Sequence, residues 1–108
     1  MKPLNFEQYV TFLLLFAAYA DDLFKPEEAI QILDTVDKST LIEVKKYFLE
    51  LGMEERIAII REYKHLHFET PQKREFLYKE IRKVLYSDLK LMRREDFMLG
   101  LLKQILED

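Results

Sequence analysis

The sequence predicts an all-α fold, a single-domain bundle of about six helices. Glycine occurs twice and proline three times in 108 residues, too few turn residues for an all-β fold. The residue types that favour helices, above all leucine, glutamate, lysine and arginine, dominate the chain. Apolar residues recur at helical spacing along the chain, and its length is that of one domain with one core.

The first two helices are predicted from their ends and their apolar residues. A helix over about 5–20 begins at Asn5, a plausible N-cap, and is apolar on nearly every side, as is typical of a central helix. The second helix begins at Pro26, whose missing N–H costs nothing in a first turn, and extends to Val36. Its expected inward residues are Ala29, Ile30, Ile32 and Leu33.

Four more helices follow from similar signals. Ser39 or Thr40 caps the third helix and Gly52 stops it as a C-cap. The fourth covers about 53–66, and the sixth about 93–107. Thr70 caps the fifth, which starts at Pro71. The expected inward residues of the third to fifth helices are Leu41, Val44, Phe48, Leu51, Ile57, Ile60, Tyr63, Phe76, Leu77, Ile81, Val84 and Leu85.

The charge distribution argues against a nucleic-acid partner. Residues 1–54 carry 5 basic and 10 acidic groups, whereas residues 55–108 carry 12 and 10. Neither half has the positive surplus that neutralises phosphates. The basic residues between 73 and 83 alternate with Glu75 and Glu80, which indicates a solvated helix face.

Cysteine usage and hydropathy favour a cytoplasmic protein that does not span a membrane. The chain has no cysteine, which excludes disulfides and thiolate metal sites. The longest apolar run covers residues 9–20, fewer than the roughly 20 that a bilayer span requires. Glu7 before this run and two aspartates after it are untypical of a signal peptide.

The chain contains an internal repeat. A shift of 67 residues aligns residues 20–28 with 87–95 without a gap. Upstream, Tyr9, Val10, Leu14, Ala17, Ala18 and Tyr19 align with Phe76, Leu77, Ile81, Val84, Leu85 and Tyr86. The repeat predicts two pseudo-symmetric helix–turn–helix hairpins that bury their apolar stripes against each other. Chance alignment of two amphipathic hairpins is the alternative.

Each copy has an Asp, an apolar residue three positions later (Phe24 or Leu91) and a Glu four positions after that, at a helix–turn–helix junction. This pattern, closest over 16–28 and weaker over 85–95, resembles the TerB family of tellurite-resistance-associated proteins. The resemblance, taken with the helical layout, covers most of residues 1–108. It implies an all-helical fold of pseudo-symmetric hairpins, a link to stress response, and an acidic surface associated with metal ions.

The two junctions depart from the family pattern at two positions each. Asp22 and Leu89 stand where the family usually has Gly, and this affects the geometry of the turn. Lys25 and Met92 stand where it favours Ser or Thr, which removes a helix cap.

The candidate metal ligands are the carboxylates of these junctions: Asp21, Asp22, Glu28, Asp88 and Glu95. Ca²⁺ and Mg²⁺ bind carboxylate oxygens, so five carboxylates that converge on a pseudo-two-fold axis would supply part of a divalent-cation site. No EF-hand spacing is present. The alternative is local capping, in which the glutamates bond back to N-cap N–H groups and the aspartates accept N–H groups of their turns.

His65 and His67 are the chain's histidines. On a helix their side chains point about 200° apart and do not share a metal ion. In an extended segment they would share a side with Glu69 and form a zinc site. We expect surface histidines at a helix terminus.

No catalytic motif is present, which predicts a protein that is not an enzyme. The chain lacks a G-x-S-x-G elbow and a glycine-rich phosphate loop, and no cofactor is expected beyond a divalent cation. The leading hypothesis is a TerB-like, stress-associated module that binds a protein partner of unknown identity. The alternative is a divalent metal-ion binding or sensing protein. A third hypothesis is a helical regulator that recognises another helix through an exposed apolar groove.

Overall fold

Helices account for most of residues 3–19, 26–85 and 92–107, the part of the chain that the computed structural model describes. They are α1 (Phe6–Ala18), α2 (Pro26–Leu33), α3 (Lys38–Leu49), α4 (Met53–His67), α5 (Pro71–Leu85) and α6 (Met92–Glu107). No strand occurs within those ranges, so the predicted all-α bundle of six helices is confirmed.

Helix α1 lies at the centre of the bundle. Every residue from Tyr9 to Ala18 is buried, and α1 packs against α3, α4 and α5. A helix that is apolar on all sides needs neighbours on all sides, which explains this position. The predicted cap is also confirmed: the Gln8 N–H donates to the Asn5 side chain over 2.8 Å, and the Asn5 N–H donates back over 2.9 Å.

Two of the four predicted inward residues of α2 are exposed. Ile32 is fully buried, but Ile30 is 60 % exposed and Leu33 is 42 % exposed. Residues 30 and 32 lie about 200° apart on a helix, so a helix that packs through one stripe buries only one of them. The helix also ends at Leu33, earlier than the predicted Val36.

The corner between α3 and α4 differs from the prediction at both helix ends. Asp37, rather than Ser39 or Thr40, is the N-cap of α3. Gly52 is the N-cap of α4 and not the C-cap of α3. Its N–H donates to the Glu55 carboxylate over 2.9 Å, so this glycine serves the start of the following helix.

Helix α5 begins as predicted, with Pro71 first and the Thr70 hydroxyl accepting a 3.2 Å bond from the Lys73 N–H. Its predicted apolar face is only partly correct, because Phe76 is 38 % exposed whereas Glu80 is 5 % exposed. Position 80 lies three residues after buried Leu77, and helical spacing therefore places it on the buried side. The prediction that Glu80 belongs to a solvated face is wrong.

The first helices of the two repeat copies, α1 and α5, pack against each other. Of the aligned positions, Val10 with Leu77 and Leu14 with Ile81 are buried in both copies. The two-fold relation itself stays a prediction, because the junctions at 20–25 and 86–91 lie outside the described residues.

Candidate functional site

The predicted cation site falls largely outside the described residues. Asp21, Asp22 and Asp88 lie beyond them, and Glu28 and Glu95 belong to α2 and α6 with side chains that are not described. Among the described side chains, no group of three or more His, Asp or Glu residues is placed to hold a metal ion. The site stays a prediction, which a titration with divalent cations monitored by amide NMR shifts would test.

His67 has a structural role in the fold. Both histidines lie in α4, where the side chains of residues 65 and 67 point apart. The His67 ring nitrogen Nε2 lies 2.8 Å from the Leu4 carbonyl oxygen. Because a carbonyl only accepts, Nε2 carries the proton of this bond. The His67 ring lies 5.1 Å from that of Tyr9. The expectation of surface histidines at a helix terminus is correct for His65, which is exposed, and only partly correct for His67, which is half-buried at the end of α4.

An opening with a mainly apolar lining lies between the start of α1, the segment after α2, and α5. It has a volume of about 170 Å³. We call it the α1–α5 groove, and its lining residues are Phe6, Glu7, Val10, Thr35, Val36 and Phe76.

Each wall of this groove is placed by a local feature of the sequence. Asn5 caps α1 and sets Phe6 in its first turn. On α5, Phe76 directly precedes the buried Leu77. The centre of its ring is 6.0 Å from that of the Phe6 ring. The two rings meet at the groove, and Phe76 keeps part of its surface in solvent. Single exposed apolar residues are ordinary on protein surfaces, whereas apolar surface that is contiguous, as where Phe76 adjoins Phe6 and the groove, marks candidate binding sites.

A buried carboxylate holds the third wall in place. The Thr35 hydroxyl donates to Glu80 over 2.8 Å, and the Lys83 ammonium group donates to the other Glu80 oxygen over 3.3 Å. These two bonds satisfy a charge that would be costly to bury alone. The Thr35 bond joins the segment after α2, which forms one wall of the groove, to α5.

A larger cleft of about 410 Å³ lies beside α4, α5 and α6. Its lining is mainly charged, with Lys64, Arg74, Glu69 and Glu107 among its residues. The cations already have partners: Lys64 donates to a carbonyl of α6, and Arg74 donates to the Glu69 carbonyl over 3.2 Å. These two basic groups of the cleft are thus engaged by main-chain carbonyls of the chain itself.

The sequence allows the hypothesis of an exposed apolar groove but does not locate it. The lining residues come from three segments that are far apart in the chain, and no spacing rule connects Phe6 with Phe76. The one local signal for the groove in the sequence is Phe6, an aromatic residue in the first turn of α1. The packing of α5 on α1 shows that Phe6 faces α5.

Within the described helices, none is both long and apolar enough to cross a bilayer. Comparison of the chain with protein-family models, with curated proteins and with solved structures finds no match. The resemblance to the TerB family consequently depends on the two junction motifs.

Proposed function

We propose that this chain is a non-catalytic helical module, similar to TerB-like domains, that binds a protein partner through the α1–α5 groove. The stress-associated part of the proposal is supported by the junction motifs at 16–28 and 85–95. The partner-binding part is supported by the structure of the groove.

The observation that carries the proposal is the exposed Phe76 ring beside Phe6 and Val36. An aromatic side chain that is 38 % exposed leaves apolar surface in contact with water. Covering that surface is favourable by roughly 25 cal/mol for each Å² removed from water. Clefts with this lining receive the apolar face of a partner helix in many peptide complexes.

A hydrogen bond within the fold engages one ring nitrogen of His67. Histidine is the residue used most often as a general base. Here its Nε2–H is bonded to the Leu4 carbonyl, and its ring packs near the rings of Phe6 and Tyr9. Because Nε2 donates its proton to this carbonyl, it does not accept a proton from a substrate.

An affinity pull-down from the native host extract tests the proposal. The bait is the full chain as wild type, as Phe76→Asp and as the matched control Leu66→Asp, since Leu66 is an exposed apolar residue of α4 outside the groove lining. We expect one protein to be recovered by the wild type and by Leu66→Asp, and to be lost with Phe76→Asp. Recovery of the same proteins by all three baits would contradict the proposal. Circular dichroism confirms that each bait is folded.

A further inference from the structure

We infer that the partner segment of the α1–α5 groove carries a lysine or arginine beside a bulky apolar side chain. The inference rests on the proposed function, because it concerns the same groove. It adds the chemistry of the partner, which the apolar lining alone does not specify.

The size of the groove indicates one apolar anchor. A dry cavity of roughly 150 Å³ in a protein holds a benzene molecule. The α1–α5 groove, at about 170 Å³, therefore accommodates one aromatic or branched aliphatic side chain. Phe6, Val10, Val36 and Phe76 supply its apolar contacts.

The charge of the groove indicates a cation next to that anchor. Glu7 is the charged residue in the lining, and its side chain is exposed. One of its carboxylate oxygens accepts a 2.7 Å hydrogen bond from the Thr40 hydroxyl. Among the described residues, no ion pair involves Glu7, and the Lys73 and Lys83 ammonium groups on α5 pair with Glu69 and Glu80 instead.

Two basic residues of α5, Lys73 and Lys83, form ion pairs with glutamates of the chain. The Lys73 ammonium group lies 5.8 Å from the centre of the Phe6 ring, but it forms an ion pair with Glu69 at 3.0 Å. Lys83 forms an ion pair with the buried Glu80. The uncompensated charge in the groove lining is thus negative, and it favours a partner that brings a positive charge.

An amphipathic helix satisfies both requirements. Residues four positions apart on a helix lie about 5–6 Å from each other at their Cβ atoms. A helix that inserts an apolar side chain into the groove, beside the paired rings of Phe6 and Phe76, brings a lysine four positions away towards Glu7, at the start of α1.

Two labelled model peptides test the inference. Both are alanine-rich helices with a central phenylalanine, and they differ in one residue four positions after it, which is lysine or glutamate. Fluorescence anisotropy measures the Kd of each peptide with the wild-type chain, Glu7→Gln, Glu43→Gln and Phe76→Asp. Glu43 is the matched control, because it is an exposed glutamate that accepts a 3.0 Å bond from Gln8 and does not line the groove.

We expect the wild type and Glu43→Gln to bind the lysine peptide roughly threefold or more tightly than the glutamate peptide. With Glu7→Gln, we expect this preference to disappear. It should also weaken with added salt, since an exposed pair is screened.

Three results would overturn the inference. They are equal binding of the two peptides by the wild type, a preference that persists with Glu7→Gln, and binding of neither peptide. Equal binding that is lost with Phe76→Asp would still support the groove as a binding site, so the charge inference would fail without the proposed function. If neither peptide binds, the pull-down decides the proposed function separately.

Discussion

The Tyr9 hydroxyl donates a 2.8 Å hydrogen bond to the main-chain carbonyl of Ile60, a residue 51 positions away in the chain. Both residues are fully buried. The bond joins the central helix α1 to the middle of α4. It satisfies the polar end of an otherwise apolar side chain inside the core, as buried tyrosines require.

Replacing Tyr9 by phenylalanine should lower the free energy of unfolding by about 1–2 kcal/mol, because the ring stays and the hydrogen bond is lost. Urea denaturation followed by circular dichroism measures the change. The control is Tyr63→Phe, at a half-buried position of α4, which should change stability by about 0.5 kcal/mol or less. An equal loss in both variants would contradict the role of the Tyr9 bond.

The chain should lose stability in alkaline solution. Burial raises the pKa of Tyr9 above its ordinary value of 10.0, and burial together with the Glu107 carboxylate raises the pKa of Tyr78. The folded state then holds protons that the unfolded state releases. The stabilisation is complete below about pH 10, the pKa of an unfolded tyrosine, and decreases as the pH rises above it.

Urea denaturation at about pH 8 and about pH 11 tests this pH dependence. The decrease in unfolding free energy should be smaller in Tyr9→Phe than in the wild type, since one titrating group is gone. A decrease of the same size in both proteins would show that Tyr9 does not contribute.

The hydrogen bond from Thr35 to buried Glu80 should matter more than the similar bond from Thr40 to exposed Glu7. Their lengths are 2.8 Å and 2.7 Å, so they differ chiefly in burial. Thr35→Val should cost about 1.5–3 kcal/mol, because it removes a donor from a buried carboxylate. Thr40→Val should cost about 0.5 kcal/mol or less. Thermal denaturation of the two variants compares them, and the reverse order would refute this explanation.

The His67 bond to the Leu4 carbonyl should stabilise the position of the residues that precede α1 against α4. His67→Ala removes this bond and the ring contacts with Phe6 and Tyr9, and should cost about 1–3 kcal/mol. Hydrogen exchange should also become faster at the amides near Leu4. His65→Ala, at an exposed position of the same helix, is the control and should leave both measurements nearly unchanged.

The helical class, the central position of α1 and several helix ends could be predicted because they depend on local chemistry. Asn5 bonds to a residue three positions away, and Pro71 fixes its own backbone, so neither requires knowledge of the rest of the fold. The end of α3 was mispredicted because Gly52 suits both the end of one helix and the start of the next. Its bond to Glu55 decides between them.

That this chain forms helices, and that α1 lies inside because it is apolar on every side, follows from the order of its residues. Which faces of the other helices are buried follows from their packing, which leaves Ile30 and Phe76 partly in solvent and Glu80 in the interior. An amphipathic stripe is wider than the contact it makes. The neighbouring helix, supplied by a distant segment, selects the residues that are covered, and the α1–α5 groove lies where that coverage ends.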